Sequence, residues 1–180
     1  VGSVMCIRDS NTTVWWKKDG TVTVWVSTQG PFEIRSQVAE VLNVPVSKVK
    51  VMPCEIGGGF GGKFPTYMEP AAAIMSHKTG HPVKMIMSRT EVFLATGPAP
   101  GSDMKVKMGA RNDGTITAFE IDDLTGIGPY SMYPRTSGIE ANQVVNMIGG
   151  PYQFDNYRAV ANVVYQNKAM MCQYLSLIHI

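Results

Sequence analysis

The chain has 180 residues, 44% hydrophobic and 17% charged, with a formal net charge of +2. That is about one domain's worth of sequence with enough apolar content for a core, which excludes a disordered segment, and its charge is too small to argue for nucleic acid or an anionic membrane as partner. No apolar run approaches the roughly eighteen residues that a membrane helix needs, and three scattered cysteines without metal-ligand spacing suit a reducing, cytoplasmic compartment.

Both ends read as foreign to the protein. Met5-Cys6-Ile7-Arg8-Asp9-Ser10 can be encoded by ATG-TGT-ATA-AGA-GAC-AG followed by C or T, and Leu175-Ser176-Leu177-Ile178-His179-Ile180 by CTG-TCT-CTT-ATA-CAC-AT followed by one further base. The two DNA strings are reverse complements. Both strands of one sequence at opposite ends of a short chain are the mark of translated sequencing adapter, against the plainer reading of a natural N-terminus and a hydrophobic tail. Residues 1–10 and 175–180 are therefore set aside, as an expression scar would be, and 11–174 are read as part of a larger domain.

Thr13 to Trp16, the turn Lys17-Lys18-Asp19-Gly20 and Thr21 to Ser27 predict a β-hairpin, because Asp-Gly is a preferred tight-turn pair. Val22, Val24 and Val26 alternate with Thr21, Thr23 and Trp25 at strand period, and Trp15, Trp16 and Trp25 are expected to pack in the core or across strands. The strand ends at Gln29, just before Pro31 opens a helix at the favoured first position. Ile34, Val38, Val41 and Leu42 mark the apolar face of that helix. After Asn43, Pro45 and Ser47, a second strand carrying Val49 and Val51 leads into Ile56-Gly57-Gly58-Gly59-Phe60-Gly61-Gly62-Lys63.

A helix follows from about Pro70 to Lys78. Glu69 supplies favourable charge at its start, Gly80 its C-terminal stop, and Ala71, Ala72 and Ala73 a thin surface for close packing. Gly80 and Pro82 break the helix around His77 and His81, which read as surface or cap residues. Val83 to Met87 predicts a third strand, and Ser88 with Glu91 a capping box for a short helix. Thr96 to Ser102 reads as a loop. Met104, Val106 and Met108, alternating with Lys105 and Lys107, predict a strand with methionines filling core gaps. Asn112-Asp113-Gly114 turns it back into Thr115 to Asp122. Leu124 to Pro151 is irregular, with tyrosines at 130 and 133 and a helix from Ile139 to Ile148, and is a candidate wall of a substrate funnel. Tyr157 to Gln166, with Val160, Val163 and Val164, returns to strand character.

The glycine run carries the chemistry. Without a Cβ its amides can approach an anion closely, and Phe60 gives a mobile loop a rigid anchor. Gly57, Gly59 and Gly62 fit a dinucleotide fingerprint, but about twenty residues on His81-Pro82-Val83-Lys84 offers no carboxylate for a ribose. Gly57, Gly62 and Lys63 approximate a phosphate-binding P-loop one residue short, and Phe64 stands where a hydroxyl must bind magnesium. A glycine-rich connector without a ligand remains the plain alternative.

Ser27-Thr28-Gln29-Gly30-Pro31-Phe32, then a helix, a strand and Gly57 to Lys63, resemble the first molybdenum-cofactor-binding region of the xanthine dehydrogenase and aldehyde oxidase family. The likeness continues through Lys78-Thr79-Gly80-His81-Pro82-Val83-Lys84, Ser88-Arg89-Thr90-Glu91 and Asn112-Asp113-Gly114, over about residues 11–174. It implies an α+β fold of mixed or antiparallel sheets with helices packed on them, a fragment of a larger cofactor-binding domain. It also implies a molybdenum-dependent hydroxylase or dehydrogenase that oxidises a carbon centre of an aldehyde, an N-heterocycle or a related small molecule, with water as oxygen donor. The implied cofactor is molybdenum–molybdopterin, in its cytosine dinucleotide form. Iron–sulfur clusters and FAD would sit on partner subunits or domains of an oligomeric complex.

Carried onto this chain, the resemblance points the Gln29 side chain at an oxygen on the metal, a task suited to an uncharged N–H donor. It lays Gly58, Gly59, Phe60 and Gly61 against the metal and its pterin dithiolene. No residue here ligates the metal directly, and the catalytic glutamate lies beyond residue 174, so the fragment alone is expected to be inactive. Lys63 is left as either a phosphate contact or a solvated charge. Phe64 stands where xanthine-oxidising members carry a substrate-binding glutamate, which argues against a purine. Leu175 stands where the family has an arginine after the tyrosine, a difference without meaning if the end is adapter. Cys172 precedes that point and is not the copper-binding cysteine of carbon monoxide dehydrogenases. The opposing readings are a nucleotide-phosphate-binding protein or an assembly module that keeps the Gly57–Gly62 loop without redox chemistry.

Overall fold

The computed structural model describes residues 10–131 and 138–171. The two terminal segments set aside (apart from Ser10), together with Tyr133, Cys172 and the position after Tyr174, lie outside the described residues. The chain divides into two compact units between Gly97 and Pro98.

The first unit is built on a four-stranded sheet of order β3-β2-β1-β4. β1 (Asn11–Trp16) and β2 (Val22–Val26) form the expected antiparallel hairpin. Asp19 Oδ1 accepts from the Thr21 N–H at 2.8 Å and from its hydroxyl at 2.6 Å, and Gly20 takes φ +80° in the turn. β2 then passes through α1 (Pro31–Leu42) and a short 3-10 turn at Val46–Lys48 to β3 (Val49–Pro53), which pairs parallel to β2. A parallel pair needs such a crossover, because no tight turn can reverse the chain twice. α2 (Glu69–Thr79) leads to β4 (Val83–Ile86), antiparallel to β1, and α3 (Arg89–Ala95) starts with both bonds of the capping box between Ser88 and Glu91.

The core is Val14, Val22, Val24 and Val26 of the sheet against Ile34, Val38 and Ala39 of α1 and Ala72 and Ala73 of α2. Burying each valine or isoleucine contributes about 1.5–3 kcal/mol. The small alanines let α2 approach closely enough for the fully buried Ser76 to accept from the Trp16 N–H at 2.9 Å and donate to the His81 carbonyl at 2.7 Å.

Three expectations for this unit change. Val41 is exposed, and Gln37 and Ala39 are buried instead, so the inward stripe of α1 is rotated toward its polar neighbour. Trp15 lies at the surface with the Lys17 ammonium over its ring, whereas Trp16 packs on the core and against the His77 ring, 4.4 Å between centroids. The strand before Gln29 ends three residues earlier, at Val26.

The second unit holds β5 (Gly101–Ala110), β6 (Ile116–Gly126), α4 (Ile139–Met147) and β7 (Asn156–Val164), in sheet order β5-β6-β7. β5 and β6 are antiparallel about the Asn112-Asp113-Gly114 turn, β6 and β7 parallel. Leu124 to Gly126 belong to β6 and not to the irregular stretch. Met104, Val106 and Met108 are exposed, against expectation. They stand on an edge strand, and burial on that face belongs to their β6 neighbours, Ile121 opposite Val106, Asp123 opposite Met104 and Thr125 opposite Ser102. Core methionines are found instead at Met68 and Met87. The opposite face carries a charged row in which Arg158 reaches Glu120 at 2.9 Å and Asp122 at 3.3 Å, and Lys107 reaches Glu120 at 3.7 Å. Among the described residues no helix is long and apolar enough to cross a membrane.

Candidate functional site

β2 and β3 end side by side, Val26 opposite Pro53. The segments that leave these neighbouring ends, 27–30 and 54–64, therefore start within a strand spacing of each other, about 4.8 Å. That parallel register is what brings Gln29 to the glycine loop across more than thirty residues of sequence.

The two segments are stitched together. The Gln29 N–H donates to the Lys63 carbonyl at 3.0 Å, and the Gln29 side-chain Oε1 accepts from the Gly61 N–H at 3.0 Å and the Lys63 N–H at 3.2 Å. Two N–H donors require an oxygen opposite them, which fixes the orientation of the carboxamide and turns its NH2 away from that part of the loop. Gly59 sits so close that a Cβ there would lie 2.3 Å from Gln29 Cδ and 2.5 Å from Cγ and Oε1. Thr28 Oγ1 donates to the Lys63 carbonyl at 2.8 Å and accepts from the Gly30 N–H at 3.0 Å.

Phe60 is half-buried and holds φ +50°, between Gly57 at +64° and Gly61 at +90°. A left-handed conformation costs a non-glycine residue about 1–2 kcal/mol, and such residues cluster at ligand clamps. The aromatic is thus held where a glycine would sit more easily. Gly58 is buried within the same turn.

Lys63 fits neither role considered for it. It is only 6% exposed, and its Nζ donates to the Ile56 carbonyl at 2.7 Å and to Ser27 Oγ at 3.0 Å. Beyond it, the Tyr67 hydroxyl donates to the Gly62 carbonyl at 2.9 Å. Gln37, buried on α1, donates from Nε2 to the Phe64 carbonyl at 3.3 Å and accepts at Oε1 from the Thr66 N–H and hydroxyl. Ser27, Thr28, Gln37 and Tyr67 are supports that the sequence reading missed. For Gln37 a signal existed: it lies between Ile34 and Val38 on the face that must be inside.

Glu69 is more than a charge at a helix start. It is 4% exposed, and its Oε2 accepts from the Tyr67 N–H at 2.7 Å and the Met68 N–H at 3.1 Å. Burial raises its pKa above the ordinary value, with hydrogen bonds from the backbone of Glu69, Tyr67 and Met68 pulling the other way. A raised folded pKa means that the carboxyl's contribution is fully present below its unfolded pKa and is lost as pH rises through the folded value. Glu69→Gln keeps an oxygen acceptor without a charge. It is expected to flatten the fall in urea midpoint with rising pH, and an unchanged pH profile would show that Glu69 does not set it.

The structure thus brings Gln29, Gly59, Gly61 and Lys63 into direct contact, with Gly58 and Phe60 in the same loop. The Gly61 amide is taken by Gln29, and the Gly59 carbonyl accepts from the Gly62 N–H at 2.9 Å. Cys54 is exposed at the loop's approach. Among the described residues no group of three His, Cys, Asp or Glu side chains could hold a metal ion.

A family model described as the molybdopterin cofactor-binding domain matches residues 5–175. The chain is 34% identical over 156 residues to the nicotinate dehydrogenase large molybdopterin subunit of Eubacterium barkeri, covering 87% of this chain and 36% of that protein. It is 37% identical over 130 residues to a putative xanthine dehydrogenase molybdenum-binding subunit of Escherichia coli K12, covering 71% and 17%. Quinoline 2-oxidoreductase from Pseudomonas putida 86 superposes with a TM-score of 0.80 at 26% identity, over 92% of this chain and 21% of that one. The aldehyde oxidoreductase of Desulfovibrio gigas shares the fold, with a TM-score of 0.81 at 24% identity over 92% and 18%. The chain spans little more than a third of the first of these relatives and about a fifth or less of the others.

Proposed function

Since the chain belongs to the molybdopterin cofactor-binding domain family, we propose that it is the part of a molybdenum-dependent oxidoreductase in which Gln29 and the Gly58–Gly61 loop seat the molybdenum–molybdopterin group. One observation carries the reading. The Gln29 carboxamide is held by the Gly61 and Lys63 amides through its oxygen, so its nitrogen is a preoriented, uncharged donor on the other side. The residues present fit the group: a donor without charge, a buried Gly58 beside a Gly59 that leaves no room for a Cβ against Gln29, and a Phe60 ring anchored by a left-handed backbone. When bound, the cofactor supplies two-electron oxidation chemistry. This chain's own residues hold and orient it.

The substrate class we propose is a small molecule oxidised at carbon, an aldehyde or an N-heterocycle, with water as oxygen donor. Support comes from the relatives' names, which include nicotinate, quinoline and aldehyde enzymes. Phe64 places a ring directly after Lys63, against Gly30, where a carboxylate would be wanted for a purine. The catalytic base is assigned to chain beyond residues 11–174. The cytosine dinucleotide form of the cofactor, iron–sulfur and flavin partners, an oligomeric complex and a cytoplasmic location belong to the same proposal. A P-loop-like nucleotide site is disfavoured, because the Lys63 ammonium is spent inside the loop.

Metal analysis of the full-length protein tests the reading. Stoichiometric molybdenum is expected. Bound nucleotide without molybdenum would replace it with the phosphate-binding alternative, and neither would leave an assembly module.

A further inference from the structure

A glycine run cannot hold a shape by itself, since each residue is free to sample both signs of φ. Something must fix the distance between its ends. The Lys63 ammonium, at the far end of the run, donates to the Ile56 carbonyl that opens it, and to Ser27 Oγ at the end of β2. The backbone of the same residue is engaged as well, its N–H by Gln29 Oε1 and its carbonyl by the Gln29 N–H and Thr28 Oγ1. One residue therefore joins the start of the loop, the end of the loop and the segment that carries Gln29. Its burial keeps water from competing for these bonds.

We propose that Lys63 is a positioning residue whose ammonium clamps the two ends of the glycine loop and thereby seats the Gln29 carboxamide. The clamp is a property of the loop; only its effect on turnover rests on the functional reading above.

The test uses the full-length protein and Lys63→Met, which keeps the stem and removes the ammonium. Hydrogen exchange of peptides covering residues 56–63 is expected to speed up about tenfold or more while those of β1 and β2 keep their rates, as for a local opening. Ser27→Ala, which removes one of the two Lys63 acceptors together with the Ser27 hydroxyl's own bond to the Ile56 carbonyl at 3.3 Å, is expected to act in the same direction more weakly, because the Lys63–Ile56 bond remains, and serves if the lysine variant does not fold. In turnover, Lys63→Met is expected to lower kcat more than it changes KM. Combined with Gln29→Ala, it is expected to cost nothing beyond Gln29→Ala alone, because the two act through one amide. Unchanged loop exchange in both variants overturns the clamp, and kcat losses that multiply in the double variant overturn action through Gln29. Faster exchange in a full-length protein that holds no molybdenum upholds the clamp and removes the functional reading instead.

Discussion

Gly59→Ala in the full-length enzyme is expected to cut turnover by about a hundredfold, the loss that a displacement of roughly 1 Å can bring at a reacting centre. The added methyl would lie 2.3 Å from Gln29 Cδ and 2.5 Å from its Cγ. These are not the free tip of a side chain, because the Gln29 oxygen is fixed by two loop amides and its N–H by the Lys63 carbonyl. The side chain must swing out, which strands the Gly61 and Lys63 N–H groups at about 1–3 kcal/mol each if they stay buried. Gly59→Ala made in a Gln29→Ala background meets no such atoms and is expected to add little further loss. Steady-state kinetics with molybdenum content on the four proteins decide it. A single Gly59→Ala variant of normal activity would mean that the loop and the amide do not share a seat.

Gln29→Glu and Gln29→Ala divide the two jobs of that side chain. The carboxylate still offers oxygens to the Gly61 and Lys63 N–H groups but has no hydrogen to donate outward. We expect Gln29→Glu to keep the loop and lose kcat by about 10²–10³, the usual cost of a missing donor to a developing charge. Gln29→Ala loses the loop acceptor as well, so molybdenum content is expected to fall along with kcat. Comparing metal content and kcat across the two variants checks this, and equal activity of Gln29→Glu and wild type would remove the outward donor from the mechanism. Phe60→Ala is expected to lower occupancy less, since it keeps the left-handed backbone problem and loses only the ring.

What could be read from the sequence followed from local rules. The hairpin was legible in Asp19-Gly20 and the valine alternation, the α3 start in Ser88 and Glu91, and the stop of α2 in Gly80, which indeed takes φ +69°. The meeting of Gln29 with the loop was legible only through resemblance. No local pattern states that β3 pairs parallel to β2, the fact that closes the gap. Lys63 was opaque for a related reason: its acceptors, Ile56 and Ser27, are a carbonyl and a hydroxyl with no charge pattern to announce them. The exposed methionines of β5 show the converse limit. Alternation tells which residues share a face of a sheet, but not whether anything covers that face.

The parallel pair also gives the first unit two unlike ends. At one end the strands release Gln29 and the glycine run; at the other lie the Lys17–Gly20 turn and the 3-10 turn at Val46–Lys48, joined by the Lys48 ammonium to the Asp19 carbonyl at 3.5 Å. Slipping β3 by a single residue would carry the loop along by about 3.3 Å and turn alternate side chains over. An insertion within Val49–Pro53 is therefore expected to be ruinous, whereas a peptide tag or fluorescent reporter spliced into the Asp19-Gly20 turn enters at the distal pole and leaves the proposed cofactor seat alone.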